Sequence, residues 1–155
     1  MQGSVSVQMA ASPEVVWDLV SDVTRIGEFS PETFEAVWLR GATGPAVGAR
    51  FKGHVKRNGV GPTYWTVCEV TQCVPQERFE FVVLVSGKPT NRWGYALAAK
   101  DGGTEVTESF SLAPSAVSKI YWALLGWHRS GVNERGMRQT LERIRTIAEQ
   151  SGAAT

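Results

Sequence analysis

Residues 33 to 112 hold a two-residue rhythm that is interrupted only by turns. The interruptions, "GATGPAVG", "NGVGP", "VPQE", "SGKP" and "KDGG", bring Gly, Pro, Asn and Asp together, residues that supply positive φ, a fixed φ or a local side-chain hydrogen bond. Between them the pattern predicts strands at 33–40, 48–57, 62–74, 77–86, 90–100 and 103–112. Connections this short leave no room for a crossover, so consecutive strands must be antiparallel neighbours in a meander. Such a sheet has one apolar face, and something has to cover it.

The two ends of the chain supply the rest. Val5, Val7 and Met9 alternate with Ser4, Ser6 and Gln8, which adds a first strand and brings the expected total to about seven. In "ASPEVVWDLVSD", Ser12 suits an N-cap, Pro13 the first helical position, and Glu14 the positive end of the helix dipole. Val16, Trp17, Leu19, Val20 and Val23 form the apolar stripe of a short helix. "TRIGEF" adds a helical turn or two, weakened by Gly27 and stopped before Pro31. At the other end, "GMRQTLERIRTIAEQ" places Met137, Leu141, Ile144 and Ala148 at helical spacing. Arg135, Arg138, Arg143 and Arg145 read as its solvated face, with Glu134 and Arg138 spaced for an ion pair. Segment 114–132, "PSAVSKIYWALLGWHRSG", is apolar and of open form; a further helix bent at Gly126 and Gly131 is one solution.

A chain of 155 residues is one domain, taken as residues 1–155, and is long enough to bury a core. Sixteen Lys and Arg against fifteen Asp and Glu give a net charge of +1, which offers no cationic excess for nucleic acid. No apolar run reaches bilayer length, and the first residues lack the basic start and apolar run of a signal peptide. Cys68 and Cys73 fall in one predicted strand at odd separation, so they are expected on opposite faces, unbridged and reduced in a cytoplasmic protein. His54 and His128 are far from both in sequence, so neither a metal nor a cofactor is expected. His54, in the basic segment "KGHVKR", reads as part of an exposed edge.

Three blocks in this order, "ASPEVVWDLVSDVTRIGEFSPE", "GTEVTESF" and "GMRQTLERIRTIAE", resemble the polyketide cyclase/dehydrase-like branch of the START/Bet v 1-type (SRPBCC) superfamily. The resemblance spans nearly the whole chain. It implies an α+β helix-grip fold, a curved antiparallel sheet wrapped around a long C-terminal helix with short helices between strands 1 and 2. It also implies a deep, mostly apolar cavity between sheet and helix. Superfamily membership leaves function open, since the group includes lipid carriers, receptors, aromatic cyclases and co-chaperones.

Strand parity then nominates the cavity lining. Tyr64, Thr66, Cys68 and Val70 share one face of their strand, chosen as inward because Glu69 on the other suits water. Phe79, Phe81 and Val83, Trp93 and Tyr95, and Phe110 continue that face across the next strands, with Met137 and Leu141 opposite on the helix. Ile26, Phe29, Trp122, Trp127 and His128 are candidates for the rim. Glu108 shares a face with Val106, Phe110 and Leu112, so its carboxyl is expected to be buried with its pKa raised. Catalysis, ligand anchoring and a structural hydrogen bond all remain open to it. Three functions follow: binding of a hydrophobic or aromatic small molecule, a cyclase or dehydratase with Glu108 as acid/base, or a partner-binding or homodimeric protein docking through 116–127. No Ser-His-Asp order or phosphate-cradling glycine loop is present.

Overall fold

The computed structural model describes the backbone of residues 2–113 and 116–154, and side chains throughout these except at residues 58 and 116–130. Strand β1 (Gln2–Met9) buries Val5, Val7 and Met9 on one face. Helix α1 (Pro13–Val20) follows, and the Ser12 hydroxyl oxygen accepts from the Val15 N–H at 3.3 Å. A 3-10 turn spans Val23–Glu28, with the Asp22 carboxylate accepting from the Thr24 N–H at 3.0 Å. Gly27 is required there. A Cβ at this position would stand 2.1 Å from the carbonyl oxygen of Phe34.

The six remaining strands are β2 (Thr33–Trp38), β3 (Arg50–Val55), β4 (Tyr64–Val74), β5 (Arg78–Val85), β6 (Lys88–Lys100) and β7 (Gly103–Leu112). They form one antiparallel sheet in the order β1-β7-β6-β5-β4-β3-β2. The meander is the predicted one, with β1 closing onto the last strand. The chain ends in helix α2 (Ala116–Ala153), which sends Met137, Leu141, Ile144 and Ala148 into the core. The helix-grip architecture expected from the sequence is therefore the one observed.

Three details differ from the sequence reading. The sequence leaves the form of segment 114–132 open, and from Ala116 onward it belongs to the same helix as the tail. A helical glycine costs only about 1 kcal/mol and keeps its N–H, so it weakens a helix without ending it. Second, β3 lies between β2 and β4, so His54 is not on an edge strand; its Nδ1 is 2.7 Å from Glu35 Oε1 on the outer face. Third, β4 carries a bulge between Val70 and Gln72, which shifts parity beyond it. Cys73 consequently pairs with inward-facing Phe79 and joins the core side, as Cys68 does. The two thiols are free, although not for the reason that parity suggested.

Helix α2 packs chiefly on β1, α1 and β7. Glu149 Oε1 accepts from the Ala10 N–H at 2.9 Å, and Arg143 donates to the Ser30 carbonyl at 3.4 Å. On its solvent side Arg145 pairs with Glu142, and the Glu134–Arg138 pair is not formed among the described residues.

Candidate functional site

Because α2 rests over the β1–β7 side, the inner faces of β3, β4, β5 and the first half of β6 are left without a close cover. The result is a cavity of about 580 Å³ bounded by these strands, the Ile26–Thr33 turn and helix residues 132–143. Local sequence explains the room. In β3 the alternation "RFKGHV" turns Phe51, Gly53 and Val55 inward, and Gly53 presents no side chain to the space. Thr66 and Cys68 on β4, Val83 on β5 and Asn91 on β6 are likewise short.

Of the residues nominated from the sequence, the structure brings Tyr64, Thr66, Cys68, Phe81, Val83, Trp93, Tyr95, Glu108, Met137 and the rim candidate Ile26 to the cavity wall. Phe79, Phe110 and Leu141 are buried in the packed core and do not reach it. Phe110 instead backs Trp93, with ring centroids 4.5 Å apart. Phe29, placed on the rim by its sequence position, is only 1% exposed and stands edge-on behind Tyr95 at 6.5 Å. Trp122, Trp127 and His128, and the docking segment 116–127, lie outside the residues whose side chains are described. Phe51, Val55, Asn91 and Thr140 line the cavity without having been nominated. For Phe51 and Val55 the signal was available in the alternation of β3.

Glu108 is at the floor of this space and is 4% exposed. It faces Tyr95 directly across the β6–β7 ladder, and the Tyr95 hydroxyl donates to Oε1 at 3.3 Å, a long contact for an O–H donor. Oε2 is buried and has no partner. Burial pushes the carboxyl up to about 8, against the opposing pull of the Tyr95 hydrogen bond. Burial, and then the neighbouring carboxylate, hold the Tyr95 hydroxyl well above 10. Near neutrality Glu108 therefore holds its proton and has a donor to offer as well as an acceptor.

A second buried carboxylate shows what a purely structural one looks like. Glu80, on the opposite face of the same sheet, accepts from the Thr71 hydroxyl at 2.8 Å and pairs with Arg92 at 3.3 Å. Glu108 has no cation within ion-pair distance among the described residues. Elsewhere on the wall, burial raises the Cys68 thiol to about 12, which removes it as a nucleophile near neutral pH. Among the described residues no group of three or more His, Cys, Asp or Glu is placed to hold a metal, and no helix is long and apolar enough to cross a membrane.

The mouth has a different character from the floor. Arg57, just past β3, and Arg135 and Arg143, two turns apart on α2, border it together with Glu32. The sequence places the helix arginines on a solvated face. They are exposed, yet their edge of the helix is also the lip of the cavity.

An α+β grip with an inner cavity, an arginine-lined mouth and one protonated carboxyl at the floor defines the class of fold and site. Residues 2–149 match the family described as polyketide cyclase/dehydrase and lipid transport, and the chain belongs to that family, within the START/Bet v 1-type superfamily. Among solved structures, a polyketide-cyclase-like protein of Corynebacterium glutamicum is 29% identical, with a TM-score of 0.61 over 96% of this chain and 91% of that one. A protein of Nitrosomonas europaea reaches a TM-score of 0.70 at 13% identity, covering 99% of this chain and 97% of its own. One of Mesorhizobium loti gives 0.67 at 17% identity, covering 97% and 98%. The last two are similar in fold alone. A comparison with curated proteins finds no match.

Proposed function

We propose that this protein binds a hydrophobic or aromatic small molecule, lipid-like or polyketide-like, between the sheet and α2. The observation that supports this most is the cavity of about 580 Å³, which is within the range of small-molecule sites. Its wall combines the aromatic and aliphatic side chains of Phe51, Val55, Phe81, Val83, Trp93 and Met137 with polar groups such as Thr66, Asn91, Tyr95 and Glu108. Burying about 300 Å² of ligand surface at about 25 cal/mol per Å² yields roughly 7 kcal/mol before the cost of association. Uptake of this kind requires no bond to break.

Titration with Nile red, a neutral apolar fluorophore, tests the reading. The wild-type protein should saturate with a blue-shifted emission, and Val83→Phe, which fills the space from β5, should lose most of the signal while melting as before. Equal uptake by both, or none by either, would count against it.

A second reading has its own support. A protonated carboxyl near pKa 8, paired with a tyrosine hydroxyl in an apolar floor, is equipped for general acid or base work beside a ligand carbonyl. This is the cyclase or dehydratase reading, with Glu108 as the proton carrier. Glu108→Gln should then abolish turnover of an accepted substrate and leave its affinity nearly intact. Unchanged turnover would remove Glu108 from that role.

A further inference from the structure

Among the described residues, the charged and titratable groups of the cavity lining gather at two places of opposite character, alongside neutral polar side chains such as Thr66, Asn91 and Thr140. At the floor is a carboxyl whose Oε2 has no partner and which no cation of the described residues approaches. At the mouth are three guanidinium groups, from Arg57, Arg135 and Arg143, against the single carboxylate of Glu32. Apart from Glu32, no described carboxylate forms an ion pair with any of the three arginines. Arg135 Nε donates to its own helix at Gly131 and one Arg143 nitrogen to Ser30, so each retains further N–H donors.

From this polarity we infer that the occupant is an acidic amphiphile, held with its carboxylate at the mouth between Arg57, Arg135 and Arg143 and its apolar body inward. The inference rests on the binding reading above and specifies its ligand class. The guanidinium fork matches a carboxylate with two parallel N–H donors, and such charge-assisted bonds are about twice as strong as neutral ones. The reverse orientation would press one carboxyl against another in an apolar enclosure, where neither finds a cation. A neutral occupant would leave the mouth cations with water, gaining nothing from them. The carboxyl of Glu108 can meet a hydroxyl or carbonyl at the inner tip of the ligand, whereas an anion there would be buried without a cation.

Matched pairs of probes decide the matter. Displacement of bound Nile red is measured at pH 7.5 and low salt with decanoic acid against decan-1-ol, and with 2-naphthoic acid against 2-naphthol. The first pair represents a lipid source of the carboxylate and the second an aromatic one. In at least one pair the acid should bind about tenfold more tightly than its neutral partner, a preference that shrinks as salt rises. Arg135→Gln combined with Arg143→Gln, both on the exposed lip, should erase the preference while the neutral probe keeps its affinity. Neutral probes that equal or outcompete the acids overturn the acidic-head inference while sparing the binding reading. A preference that survives loss of all three arginines overturns it too. If Nile red itself is never taken up, the underlying binding reading has failed.

Discussion

At the β1–β7 end of the sheet, Val7, Met9, Leu97 and Val106 form one cluster with Trp17 and Leu19 of α1 and with Leu141 and Ile144 of α2. At the β3–β5 end, Val55, Thr66 and Val83 occupy equivalent inward positions and face the cavity instead. Both ends alternate inward and outward in the same way. They differ in what lies opposite, because α2 packs on β1, α1 and β7 rather than across the whole width. Side-chain size contributes as well, since Gly53, Thr66, Cys68 and Asn91 leave room beside the larger Phe51, Phe81 and Trp93, whereas Met9 and Leu97 fill the packed end. Alternation decides which face is inward; helix placement and side-chain volume decide whether that face is core or cavity.

The largest effect expected from this difference comes from the cavity floor. The folded chain keeps a proton on Glu108 up to about pH 8, whereas the unfolded chain releases it near its ordinary value of 4.5. Between those values the folded state holds more protons, so stability falls as pH rises through the window and levels off above it. The loss attributable to this one group is on the order of 4–5 kcal/mol. Denaturant midpoints measured from pH 5 to 9 should decline for the wild type and lose most of that slope in Glu108→Gln. An unchanged slope would place the titration elsewhere.

Truncation should then separate the two ends. Phe79→Ala, in the packed cluster, is expected to cost about 4 kcal/mol in urea unfolding, because it leaves a void that nothing fills. Tyr64→Ala, at a side chain already 42% exposed on the cavity wall, should stay within about 1 kcal/mol. Comparable losses at both sites would mean that the cavity is packed in solution. Between these two, and still on the open side, is the effect of Gly27→Ala. The added methyl meets the Phe34 carbonyl, so β2 or the turn must shift at a cost of about 2 kcal/mol.

The cysteines give a kinetic version of the same contrast. Cys68 is buried on the cavity wall with its thiol raised to about 12, while Cys73 is partly exposed. Iodoacetamide at pH 8, followed by intact-mass and peptide mapping, should modify Cys73 at least about a hundredfold faster. Occupying the cavity should slow Cys68 further and leave Cys73 unchanged.

Much of this molecule was legible in its sequence. Turn residues and period-two runs located the strands of the meander, and "ASPEVVWDLV" announced its own cap and first turn. Parity also carried Tyr64, Thr66, Cys68, Val83 and Glu108 to the correct face. It failed at Cys73, where a bulge without a glycine or proline signal resets the alternation. It could not separate Phe79 and Phe110 from Phe81 and Trp93, since all four face inward and only the path of α2 distinguishes core from wall. The mouth arginines were hidden for a related reason. A helical wheel shows that Arg135 and Arg143 avoid the core, but whether they face open water or the lip of a cavity depends on a strand some eighty residues away.

The measurement closest to the central claim is a methyl NMR titration with a ligand that displaces Nile red. Val55, Thr66 and Val83 should shift in a saturable manner, while Val7, Val106, Leu141 and Ile144 hold their positions. Shifts confined to the second group, or spread evenly over both, would contradict the division of this sheet into a packed end and a binding end.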